Sequence, residues 1–75
     1  MKDKVIEIMK NILKEDVQAD EKTEMANLGF SSISFVKLVT EVEEEYGIEF
    51  EDDYLVIEKF QYFGDFCDYI EKLLD

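Results

Sequence analysis

Apolar positions recur at helical spacing in three stretches of the chain. From Lys2 to Glu15, Val5, Ile8, Met9, Ile12 and Leu13 fall at i, i+3, i+4, i+7 and i+8, the stripe of an amphipathic helix that packs by one face. The periodicity then stops. Asp16 to Phe30 mixes turn-forming and charged residues with the spaced apolar residues Val17, Met25, Leu28 and Phe30, which predicts a long loop pinned to the core at intervals. Long loops in small domains are often functional.

The second helical stretch runs from Ser32 to Tyr46, with Phe35, Leu38, Val39, Val42 and Tyr46 on one face. Ser31 or Ser32 can cap its start by accepting a bond from an early backbone N–H, and Gly47 supplies a left-handed stop. Ile48 to Glu51 reads as extended. Asp52 and Asp53 are placed to cap a short helical turn from Tyr54 to Ile57, in which Phe50, Tyr54 and Ile57 share a face. The aromatic-rich run Lys59 to Phe63 has an extended character. A last helix, from about Tyr62 to Leu74, turns Phe63, Phe66, Cys67, Ile70 and Leu74 inward. The expected fold is all-α: a small four-helix bundle with a short third helix and a long loop between helices 1 and 2. With no repeat or linker in it, 1–75 reads as a single, complete and unattached domain.

Composition narrows this picture. Apolar residues make up 47% of the chain, with 6 Phe and 4 Tyr, which separates it from disordered acidic segments. There is no His, and the lone Cys67 excludes an internal disulfide and a Cys/His zinc cluster. Cys67 lies on the inward stripe and reads as a small buried hydrophobe. The run Glu51-Asp52-Asp53 lacks the spacing of a calcium loop, so no metal site is assigned. No apolar run approaches the roughly 18 residues of a spanning helix, and the expectation is a cytoplasmic monomer. A net charge of -12 repels nucleic acid and anionic membrane and favours protein partners with basic surfaces.

Two apolar residues of the second helix do not fit its core stripe. Ile33 and Val36 project to a different side, shared with Lys37, Thr40 and Glu44 and starting directly after Ser32. An apolar pair ringed by charge predicts a docking surface. The acidic residues Glu41, Glu43, Glu44 and Glu45 are placed to steer basic partners toward it. Ser32 is not expected to act as an enzymatic nucleophile, because the chain contains no histidine to serve as its base.

The run Leu28-Gly29-Phe30-Ser31-Ser32-Ile33, then Phe35-Val36-Lys37-Leu38-Val39, then Glu43-Glu44-Glu45-Tyr46-Gly47-Ile48, resembles the signature of the acyl and peptidyl carrier proteins. Asp68-Tyr69-Ile70 matches a pattern of the family's last helix. The resemblance spans nearly the whole chain. It implies a freestanding carrier rather than an enzyme: a phosphopantetheinyl transferase moves 4'-phosphopantetheine from coenzyme A to Ser32, and the arm then presents acyl, aminoacyl or peptidyl thioesters to loading and processing enzymes. Ser31, Ile33, Val36, Lys37, Thr40, Glu41 and Glu44 would meet those partners. Carriers of fatty-acid synthesis commonly have Asp before the serine, Leu after it and an acidic residue where this chain has Lys37. Those departures, with the aromatics Tyr54, Phe60, Tyr62 and Phe63, favour a specialised biosynthetic pathway. The alternatives are a housekeeping fatty-acid carrier and a noncatalytic helical adaptor without the arm.

Overall fold

The computed structural model describes residues 1–75. The three amphipathic stripes form α1 (Lys2–Leu13), α2 (Ser32–Tyr46) and α3 (Phe63–Leu74), and there is no β-strand. An isolated antiparallel bridge joins Glu24 to Tyr62. α1 ends at Leu13, the last residue of its apolar stripe and short of the Glu15 bound expected for it. Lys14 takes the left-handed conformation (φ 61°), and its N–H closes on the Lys10 carbonyl at 2.8 Å. α2 stops at Gly47 (φ 65°), a backbone region that strains residues with a Cβ.

The expected short third helix is not an α-helix. Two 3-10 turns, Asp52–Tyr54 and Ile57–Lys59, take its place. Asp52 and Asp53 lie inside the first turn instead of capping it, and no side chain caps either turn. The apolar residues here, Tyr54, Leu55, Val56 and Ile57, are consecutive, so no single helical face can bury them all. Tyr54, Leu55 and Ile57 pack against the core while Val56 stays exposed. At the end of α3, Leu73 packs inward and Leu74 is 46% exposed, the reverse of the expected placement. Both residues lie within a turn of Ile70, and the apolar face takes the one at i+3.

Every fully buried residue is apolar, and no buried side-chain polar atom lacks a partner. The centre is aromatic. Phe35 of α2, Phe66 of α3, and Phe50 and Phe60 of the connecting segment meet with ring centroids 5.2 to 6.4 Å apart. Tyr69 stacks on Tyr54 at 4.4 Å and extends this cluster toward the surface. Such tilted and edge-on pairs add to the area that each ring buries. The 3-10 segment is therefore held to α3 by rings, although it makes few regular backbone bonds.

The long loop is pinned as its apolar spacing predicts. Val17 and Met25 are buried, and Leu28 and Phe30 pack partly against the core. Its backbone is also tied to the start of α3: Met25 N–H donates to the Gln61 carbonyl, Phe63 N–H to that of Thr23, and Gly64 N–H to that of Glu21. The last contact requires glycine, because a Cβ at position 64 would sit 2.8 Å from the Glu21 carbonyl oxygen. Lys2 of α1 pairs with the carboxylate of Glu21. These ties deliver the chain through Gly29 (φ 98°) to the first turn of α2.

Candidate functional site

Three serines stand in four positions at the start of α2, and the backbone treats them differently. Ser31 is the N-cap. Its Oγ accepts from the Ser34 N–H at 3.1 Å, and the Ser34 Oγ accepts from the Ser31 N–H at 2.8 Å, a reciprocal capping box. The two hydroxyls also lie 3.1 Å from each other, and the Ser34 hydroxyl donates to the Ser31 carbonyl at 3.3 Å. Both side chains are thus committed to the helix start. Ser32, between them, is exposed, and its hydroxyl has no protein partner.

The backbone around that hydroxyl is also open. At a helix start the first N–H groups have no carbonyl one turn back. The cap supplies an acceptor for Ser34, and Phe35 N–H reaches the Ser31 carbonyl at 2.9 Å. The N–H groups of Ser32 and Ile33 remain unpaired. Two free donors at the positive end of the α2 dipole suit an anionic group attached at this turn.

Ile33 is 74% exposed and Val36 47% exposed, so neither the long loop nor the 3-10 segment covers them. Lys37, Thr40, Glu41 and Glu44 are exposed on the same helix. The Thr40 hydroxyl donates to the Val36 carbonyl at 2.9 Å, which keeps it close to the helix backbone. The acidic cluster divides. Glu43 turns inward and its carboxylate accepts from the Phe50 N–H at 2.7 Å, clamping the chain after α2. Glu45 lies 4.0 Å from Lys4. Only Glu41 and Glu44 of this group stay unpaired beside the apolar pair, a distinction the sequence does not display.

No depression is lined by residues of α2. The largest depression, about 520 Å³, lies between the start of α1 and the loop, lined by Lys2, Ile6, Ala19 and neighbouring charged residues; none of the three depressions includes Ser32. No group of three or more His, Cys, Asp or Glu side chains has metal-holding geometry. Cys67 is buried, and that burial pushes its thiol up to about 11, so it stays protonated at neutral pH.

A sequence profile for the phosphopantetheine attachment site matches residues 3–70. The chain belongs to the phosphopantetheine-attachment family. Members of this family carry 4'-phosphopantetheine covalently, are modified by phosphopantetheinyl transferases and interact with biosynthetic enzymes; they are carriers, not catalysts. The fold agrees: the chain is similar to the crystal structure of an acyl carrier protein from Thermotoga maritima, with a TM-score of 0.81 and 32% sequence identity over 96% of this chain and 84% of that one. No match is found among curated proteins. No helix is long and apolar enough to cross a membrane. A carrier needs an attachment point that large enzymes can reach, and Ser32 and its neighbour Ile33 are exposed at the start of α2.

Proposed function

We propose that Ser32 is the attachment point for phosphopantetheine and that residues 1–75 act as one carrier unit in a specialised biosynthetic pathway. One observation carries the choice of serine. The reciprocal cap engages the hydroxyls of Ser31 and Ser34 and leaves that of Ser32 free, with two unpaired N–H groups beside it. The terminal thiol of the arm holds acyl, aminoacyl or peptidyl groups as thioesters. This chain's part is to present the hydroxyl to the transferase, to favour the phosphodiester at the helix start, and to dock the enzymes that act on the cargo. Incubation with coenzyme A and a promiscuous phosphopantetheinyl transferase, followed by intact-mass measurement, should show one arm per chain. A mass that does not change would favour an adaptor role instead.

Ser31, Ile33 and Lys37 support the specialised reading, since each differs in type from the corresponding residue common in fatty-acid carriers. Ile33 and Val36 form the proposed apolar centre of docking, with Ser31, Lys37, Thr40, Glu41 and Glu44 around it. Ile33 is already exposed in the free protein, so Ile33→Ser should alter stability little, within about 0.5 kcal/mol. Truncating a buried apolar anchor of an interface costs roughly 2 kcal/mol, or about 30-fold in Kd. Titration of the transferase with wild type and Ile33→Ser, at low and high salt, checks both the apolar centre and its charged rim. Binding should weaken with the substitution and separately with salt. Equal affinity for the two proteins would remove Ile33 from the surface.

A further inference from the structure

We propose that Ser34 is a positioning residue for the modification of Ser32, an inference that rests on the reading of Ser32 as the attachment point. The Ser34 side chain makes no hydrogen bond to the Ser32 hydroxyl. It acts through Ser31: its Oγ accepts from the Ser31 N–H at 2.8 Å and its hydroxyl donates to the Ser31 carbonyl at 3.3 Å, while its own N–H is held by the Ser31 Oγ. These bonds fix the residues on either side of the first α2 turn, and Ser32 and Ile33 lie between them. Helix ends fray unless they are capped, and the chain before Ser31 enters from a loop. The box therefore does two things at once. It keeps the first turn formed, so that the free hydroxyl and the unpaired Ser32 and Ile33 N–H groups hold one arrangement. It also occupies the two other hydroxyls of the run, so that a transferase meets a single free one.

The mechanism has a kinetic signature. A transferase that acts on the ordered turn binds only the fraction of molecules in which that turn is formed, so loss of the box raises the apparent KM by the inverse of that fraction. Once the turn is held in the complex, turnover proceeds as before. The expected result for Ser34→Ala is a two- to five-fold rise in KM for the carrier with kcat unchanged, the upper figure being the factor for a cap worth about 1 kcal/mol. Ser34→Thr keeps a hydroxyl at the same place and should restore most of the loss. Ser31→Ala breaks the other half of the same box, so the double variant should be little worse than either single one.

The assay is steady-state loading from coenzyme A at a temperature where circular dichroism shows each variant folded. Site assignment by peptide mass mapping accompanies it. If wild type is not loaded at Ser32, the attachment reading fails and this inference fails with it. If wild type is loaded at Ser32 and Ser34→Ala has the wild-type KM, only the positioning role is overturned. A fall confined to kcat, or a Ser34→Thr variant as poor as Ser34→Ala, overturns it as well. Should Ser34→Ala prove unfolded at every practical temperature, Ser34→Cys, which keeps the side-chain volume but offers only a weak acceptor and donor, decides by the same KM criterion.

Discussion

Ser32→Ala is expected to reduce phosphopantetheine loading to background while leaving the protein folded. The hydroxyl oxygen is the atom that would form the phosphodiester, and alanine removes it without disturbing the helix. Ser32 contributes no side-chain bond to the cap, and alanine has the higher helix propensity, so α2 should be unchanged or slightly more stable. This separates the chemical loss from a structural one. Ser31 and Ser34 are near in sequence but should not take over, because releasing either hydroxyl means opening the capping box. Intact-mass measurement after exposure to coenzyme A and the transferase reads the outcome, with circular dichroism as the folding control. Loading that persists in Ser32→Ala would move the attachment point to another hydroxyl and overturn the proposal.

The three α-helices are legible because each has an apolar stripe long enough to define a face. α2 is the clearest, since a capping serine and Gly47 bracket its stripe at both ends. The exposure of Ile33 and Val36 follows from their position off that stripe. Capping chemistry alone leaves Ser31 and Ser32 equivalent as the N-cap, and the backbone geometry gives that role to Ser31. The capping role of Ser34 is not legible in the sequence, for a physical reason. A capping box is usually signalled by Glu or Gln at its third helical position, and a serine there is short enough to pass for an ordinary helix residue.

The region between α2 and α3 was less legible because its order comes from distant contacts. Four consecutive apolar residues carry no period, and the resulting 3-10 turns are shaped by ring packing against α3. The bridge between Glu24 and Tyr62 joins segments far apart in the chain, which no local pattern can announce. The same holds for Glu43. Its place in an acidic run suggests a solvated charge, yet its carboxylate caps the Phe50 N–H. Leu73 and Leu74 differ for a simpler reason: at a helix end the two neighbours compete for one inward place.

Phe66→Ala should be the most damaging change to the fold. The ring is fully buried and sits at the junction of Phe35, Phe50 and Phe60, with centroids 5.9, 5.8 and 5.2 Å away. It therefore joins α2, α3 and the 3-10 segment at one point. Truncating such a ring costs about 3 to 5 kcal/mol, from lost transfer energy and the cavity left behind. A chain of 75 residues has a total stability of only about 4 to 11 kcal/mol at typical values per residue. Each kcal/mol shifts Tm by about 4 to 8 °C in a domain of this size, so a fall of at least roughly 12 °C is expected in a thermal melt. The 3-10 segment should loosen first, because rings rather than regular backbone bonds hold it to α3. Phe66→Leu, which keeps most of the volume, should lose clearly less. Loading of Phe66→Ala, measured well below its melt, should approach wild type, because the first turn of α2 is held by its own cap. A Tm within about 4 °C of wild type, the shift that a loss of about 1 kcal/mol gives, would mean that the ring cluster does not hold the fold together.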